Sequence, residues 1–176
     1  FTLKEFGFGT KIYSRQEFGD HTFNRVLSTY IESGIPLILA VENRSAGGNI
    51  SHAIITIGHE VVSDSQIDAL PASLGLDNTI QGLLTSKNIV LYDNDDINKA
   101  FVFIDDNQPA YQLATLDHPT AHYPEVAWQS CNITYFVSPL YPKIYLEAYK
   151  AKSYFLSILF NLFPSIPDNS EIFIRF

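Results

Sequence analysis

The stretch Tyr30-Ile-Glu-Ser-Gly-Ile-Pro-Leu-Ile-Leu-Ala40, followed after a polar turn by Ser51-His-Ala-Ile-Ile-Thr-Ile-Gly58, decides how the chain is read. Gly34 stands where a helix ends on a left-handed residue, and Pro36 two positions later cannot continue that helix. Upstream, Phe23, Val26, Leu27, Tyr30 and Ile31 recur at helical spacing on one face, with Asp20 placed to cap the start. Downstream, Pro36 to Val41 is a short apolar run that reads as a buried strand. His52 to Ile57 is a second such run, stopped or bulged at Gly58. The polar, glycine-containing segment between them suits a turn. A helix followed by two adjacent strands predicts a hairpin packed against that helix.

Working outward, the first thirteen residues read as short extended pieces with Gly7 and Gly9 as turn residues. Residues 61–88 have weak periodicity and suit an inserted loop with short helical turns. Ile89-Val-Leu-Tyr92 and Ala100-Phe-Val-Phe-Ile104 are further strands on either side of the acidic turn Asp93-Asn-Asp-Asp96. Asp105-Asp-Asn-Gln-Pro109 breaks the second of them. Residues 110–116 continue the sheet, and His118 to Gln129, with two prolines, reads as loop. Asn132 to Pro139 is another strand. A helix is expected over Glu147–Phe163, with Ala148, Ala151, Phe155, Ile158, Leu159 and Leu162 on its apolar side. Ile172 to Phe176 is a last strand. The pattern predicts an α+β class with an antiparallel-rich sheet flanked by helices, in one domain over residues 1–176.

The 176 residues are 46% apolar and 17% charged, a composition that buries a core and excludes a disordered chain. The net charge of −8, with only 11 Lys and Arg and no basic run, disfavours nucleic-acid binding and attraction to anionic lipid. The most apolar run, Tyr154 to Phe163, has about half the length of a bilayer span. One cysteine, Cys131, rules out an intrachain disulfide and is compatible with a reducing compartment, so a cytoplasmic location is slightly favoured. A chain that opens on Phe1 and contains no Met is expected to be a processed piece of a longer product.

Two places can carry chemistry: His52 at the start of one strand and Asp105/Asp106 at the end of another. A catalytic histidine needs a partner on its far ring nitrogen, and a carboxylate at the end of an adjacent strand can supply it. Spacing alone favours a plain strand-end histidine and a solvated acidic turn. A metal held by His52, His59 and the Asp pair is chemically feasible, but zinc spacing is absent and neither a metal nor another cofactor is expected. His118 and His122 share i, i+4 spacing, yet Pro119 and Pro124 argue against a ligand helix. No nucleophile-elbow Gly-x-Ser-x-Gly occurs.

The helix ending in Gly34-Ile-Pro36, the buried strand after it, the Ser51-His-Ala53 opening of the next strand and Phe101-Val-Phe-Ile-Asp105 together resemble papain-like cysteine peptidases of the bacteriocin-processing branch. The resemblance covers residues 1–107. It implies a papain-like fold, a peptide or protein substrate, His52 as general base and Asp105 as its orienter, with Asp106 as the fallback. Ser51 stands where that family has Gly. The family's nucleophilic Cys lies ahead of the His at the start of a helix, with a Gln just before it, and no Cys precedes His52 here. The resemblance therefore implies either a thiol supplied from ahead of Phe1 or a non-catalytic binding module of the same fold, with Tyr111, Tyr123 and Trp128 as groove residues or as ordinary packing. In a rearranged branch, the ubiquitin-like-protein-processing and adenoviral peptidases, the order runs His, Asp, Cys with a Gln before the Cys. Gln129 and Cys131 follow that order. Cys131, however, leads into a strand rather than opening a helix, and reads as a buried structural thiol.

Overall fold

The structure, a computed structural model, describes residues 3–45, 49–61, 78–92, 99–142 and 146–175. They form an α+β arrangement in two compact units, Phe1–Val62 with Lys99–Ala148 and Ser63–Asn98 with Tyr149–Phe176. The first unit holds β1 (Gly9–Ser14), α1 (Arg15–Phe18), α2 (Asp20–Glu32), β2 (Leu37–Asn43), β3 (Ile50–Val61), β5 (Lys99–Ile104), β6 (Gln112–Ala114), α4 (Val126–Gln129) and β7 (Asn132–Leu140). The second holds α3 (Asn78–Ser86), β4 (Ile89–Tyr92), α5 (Ala148–Leu162) and β8 (Ile172–Arg175). Among the described residues no helix is long and apolar enough to cross a membrane.

Six strands of the first unit form one antiparallel sheet in the order β1-β7-β2-β3-β5-β6. The α2 face read from sequence is the face that packs: Phe23, Val26, Leu27, Tyr30 and Ile31 are buried against Leu37, Leu39, Val41, Ile54, Phe103, Ile133 and Phe136. Each such side chain contributes about 1.5–3 kcal/mol when fully buried. The helix stops at Gly34, whose φ of +74° is the left-handed conformation expected there. Most polar groups that reach into this core are paired, Ser138 Oγ being buried without a hydrogen-bond partner. The Tyr13 hydroxyl lies 2.7 Å from that of Tyr30 and donates to Glu147 at 2.8 Å. Lys99, the inward-facing first residue of β5, is ion-paired with Glu32 at the end of α2. At the other end of α2, Asp20 is bonded to Arg15, whose Nε donates to Ile133 O, and Ile133 pairs with Val41, the residue opposite His52.

Several expectations are revised. Asp20 is the first helical residue of α2 rather than its cap; Gly19 holds the cap position, and Asp20 accepts from Arg15 Nη1 at 3.0 Å. Gly9 begins β1, and the turn ahead of it is carried by Gly7. The proline-containing stretch before β7 includes the short helix α4. The strand β4 pairs in parallel with β8 in the second unit, a parallel pair within the expected antiparallel-rich pattern. The acidic turn at Asp93 to Asp96 and residues 62–77 lie outside the described residues. In α5, Phe155, Ile158 and Leu162 stand exposed, whereas Leu159 and Phe160 pack with Leu84, Ile89 and Phe163 in the second unit's core.

Candidate functional site

The strand β3 begins at Ile50, and His52 sits opposite Val41 of β2. Ile54 and Thr56 face the core, so period-two alternation puts His52 on the same face, the one covered by α2. On the other side, β3 pairs with β5 through Ile55 and Ile104. Continuing that ladder one step sets Asp105 opposite Ile54, diagonal to His52 and on the same face. Diagonal cross-strand neighbours lie within side-chain reach. The chain then leaves the sheet in a turn, with Gln108 N donating to Asp105 O at 3.3 Å and Asn107 N to Asp105 Oδ1 at 3.0 Å. This is an Asx turn, in which the carboxylate itself closes the backbone.

The result is a direct His52 Nε2 to Asp105 Oδ1 contact of 2.9 Å. The Asp105 carboxylate is fully buried, and its second oxygen accepts from the Tyr123 hydroxyl at 2.7 Å. Burial pushes the Asp105 carboxyl up, but the hydrogen bonds from Tyr123, Asn107 N and His52 outweigh it and hold the group below its ordinary range. Burial, reinforced by the bond to Asp105, pushes the Tyr123 phenol up to about 12, so it remains a donor. The ionised Asp105 favours the tautomer with the proton on Nε2. The Asn107 amide nitrogen Nδ2 lies 3.3 Å from the same Nε2. Asp106 differs from its neighbour. Its side chain is 83% exposed, and its Oδ1 lies 3.4 Å from the same Nε2.

With Nε2 engaged, Nδ1 has no hydrogen-bond partner among the described residues. That leaves the nitrogen lone pair on Nδ1 as the proton acceptor. Around the pair, the Trp128 ring meets His52 edge to face at 5.6 Å and stacks on Tyr123 at 4.5 Å with 9° between planes. Both aromatics are fixed by the backbone around them: Gln129 Nε2 donates to Tyr123 O, Thr120 Oγ1 to Trp128 O, and Asn43 Nδ2 to Ala127 O. Tyr111 stands apart and exposed.

Three further sequence candidates lie outside this arrangement. His59 reaches the core face through the bulge between Thr56 and Gly58, pairs in register with Phe101 and does not join the carboxylates. His122 has both ring nitrogens buried without a partner, and burial lowers its pKa against the pull of Asp105. Cys131 is buried between α4 and β7 with its thiol 3.9 Å from Ala127 O, and burial pushes its pKa up. Such a thiol is poorly nucleophilic. As a metal-binding set, His52, Asp105 and Asp106 bring one ligand atom each within 4.8 Å of one another. A metal at His52 Nε2 would displace the proton shared with Asp105, so the two uses of the site are exclusive.

The sequence reading did not find Tyr123 as the second partner of Asp105, nor Asn107. The Asp-x-Asn spacing at an abrupt strand end was a legible signal for Asn107. Tyr123 lies 18 residues away in chain and carried no spacing signal. No protein-family model, curated protein or solved structure matches the chain.

Proposed function

We propose that this chain is a papain-like hydrolase domain of the cysteine-peptidase kind, in which His52 and Asp105 are the base half of a Cys-His-Asp site. The observation that carries the proposal is the 2.9 Å bond from His52 Nε2 to a wholly buried, ionised Asp105, which leaves Nδ1 unpartnered. In such a site a thiol gives its proton to Nδ1 and attacks a peptide carbonyl. The imidazolium, held by Asp105, then protonates the leaving amine. Cys131 is the single cysteine in the 176 residues, and its buried, raised thiol is unsuited to that role. With no suitable nucleophile among these residues, no cysteine-type turnover is expected of them alone.

One observation favours a second reading, a non-catalytic domain that binds a peptide or protein. By the resemblance, the nucleophile opens a helix ahead of the strands with a Gln before it. The helix α2 precedes the strands, packs on the His52 face and is tied at its start, through Arg15, to Ile133, which pairs with Val41 opposite His52. Gln16 precedes it, yet it opens with Asp20-His-Thr22 and no Cys.

The test places a thiol at that helix start, as Asp20→Cys and His21→Cys, each with and without His52→Ala. Iodoacetamide alkylation is followed against pH by mass spectrometry, with buried Cys131 as the unreactive reference. The papain-like reading expects at least one new thiol to titrate below the usual value of about 8.5 and to return to it without His52. If neither thiol responds to His52, that reading is lost. Saturable peptide binding by the unaltered chain, without turnover, would select the second reading over the first.

A further inference from the structure

The six-stranded sheet has a second face. Alternation that sends Leu37, Leu39, Val41, Ile54 and Phe103 toward α2 sends their neighbours the other way, and the strand registers align these outward residues into a row. Ile12 pairs with Val137, Val137 with Ile38, Ile38 with Ile55, and Ile55 with Ile104. Five β-branched side chains thus lie side by side across β1, β7, β2, β3 and β5. Ile12 is 63% exposed, and Ile38, Ile55, Ile57 and Leu113 are exposed as well. Along the strands the row is flanked by Ala40, Ala53, Val102 and Ile57, and among the described strand residues the charged side chains on this face are Glu42, beside Arg44, and Glu60, opposite Ala100, both away from the row itself. A half-solvated antiparallel sheet carries polar residues outward, whereas one apolar on both faces is covered on both.

We propose that this face is the interface of a symmetric dimer, with the sheets of two copies packed face to face. The charge distribution selects a second copy. A chain of net charge −8 repels its own kind least where it presents no charge, and here the central row is uncharged and self-complementary, with Glu42 and Glu60 off to its sides. The area is sufficient. Five inter-strand spacings of about 4.8 Å by about six residues at 3.3 Å give a face of roughly 24 by 20 Å. Two copies then remove about 1,000 Å² of flat area before side-chain corrugation is counted, the floor for a specific interface. Small β-branched side chains on two twisted sheets interdigitate at the aligned packing angle of about 30°.

The experiment is sedimentation equilibrium of the full chain over a concentration series, beside Ile55→Lys and, as a surface control, Ser33→Lys. The unaltered chain and the control should show a mass near twice 19.8 kDa. Ile55→Lys, which puts two buried ammonium groups at the centre of the interface, should weaken association roughly a hundredfold or more with an unchanged circular dichroism spectrum. If that variant does not fold, Ile12→Thr near the edge of the row replaces it and should weaken association severalfold. A monomer at every concentration overturns the proposal, and so does a dimer indifferent to the folded row variants.

Discussion

Replacing Tyr123 with Phe removes one hydroxyl and leaves the ring where it is, stacked on Trp128 at 4.5 Å. The hydroxyl is the donor to Asp105 Oδ2, inside a carboxylate with no solvent access. A hydrogen bond to a charged acceptor contributes about 1.5–3 kcal/mol, and a buried acceptor left without its donor pushes the loss to the upper half of that range. We therefore expect Tyr123→Phe to lose about 2–3 kcal/mol at pH 7 in urea unfolding. The pH dependence is diagnostic. Asp105 titrates below its unfolded value of about 3.9, so its contribution is complete above that pH and is lost as pH falls through the folded value. Without the Tyr123 donor the folded value rises, so the variant should lose that contribution at a higher pH than the unaltered chain. Once Asp105 is protonated in both, the difference should shrink toward a neutral hydrogen bond, about 1 kcal/mol. A variant within about 0.5 kcal/mol of the unaltered chain at pH 7 would refute the reasoning. A deficit that stays constant as pH is lowered would refute the ionised state of Asp105.

Two other substitutions test the frame that positions the site. Glu32→Ala leaves Lys99 buried without its ion-pair partner and should cost about 3–5 kcal/mol, while replacing both at once, Glu32→Leu with Lys99→Met, should be close to neutral, both read from urea midpoints. Gly34→Ala meets no atom within 4 Å but must hold φ near +74°, so thermal unfolding should report a loss of about 1–2 kcal/mol from backbone strain alone.

The scaffold was more legible in the sequence than the site. Apolar spacing over residues 23–31 marked the buried face of α2, and Gly34 with Pro36 marked its end, because both signals act within a few residues of themselves. The strand ends bearing His52 and Asp105 were legible for the same reason. What spacing left open was which of two adjacent carboxylates faces the histidine. The register of β3 on β5, shifted by a bulge at Gly58, places Asp105 inward and leaves Asp106 largely in solvent. Likewise, nothing in local spacing indicated that β4 pairs with β8 some eighty residues later.

By itself, then, the amino-acid order determined the α+β class, the principal helix and strands, and the two residue types able to meet as base and orienter. Each of these follows from periodicity, turn chemistry or composition, which operate locally along the chain. The tertiary structure alone decided that His52 and Asp105 touch and that Tyr123 completes the carboxylate's hydrogen bonds. It also decided that five β-branched residues from five strands form one row on the sheet's outer face. Those are facts of register and of long-range closure, and a one-residue slip in any ladder would turn each side chain to the opposite face.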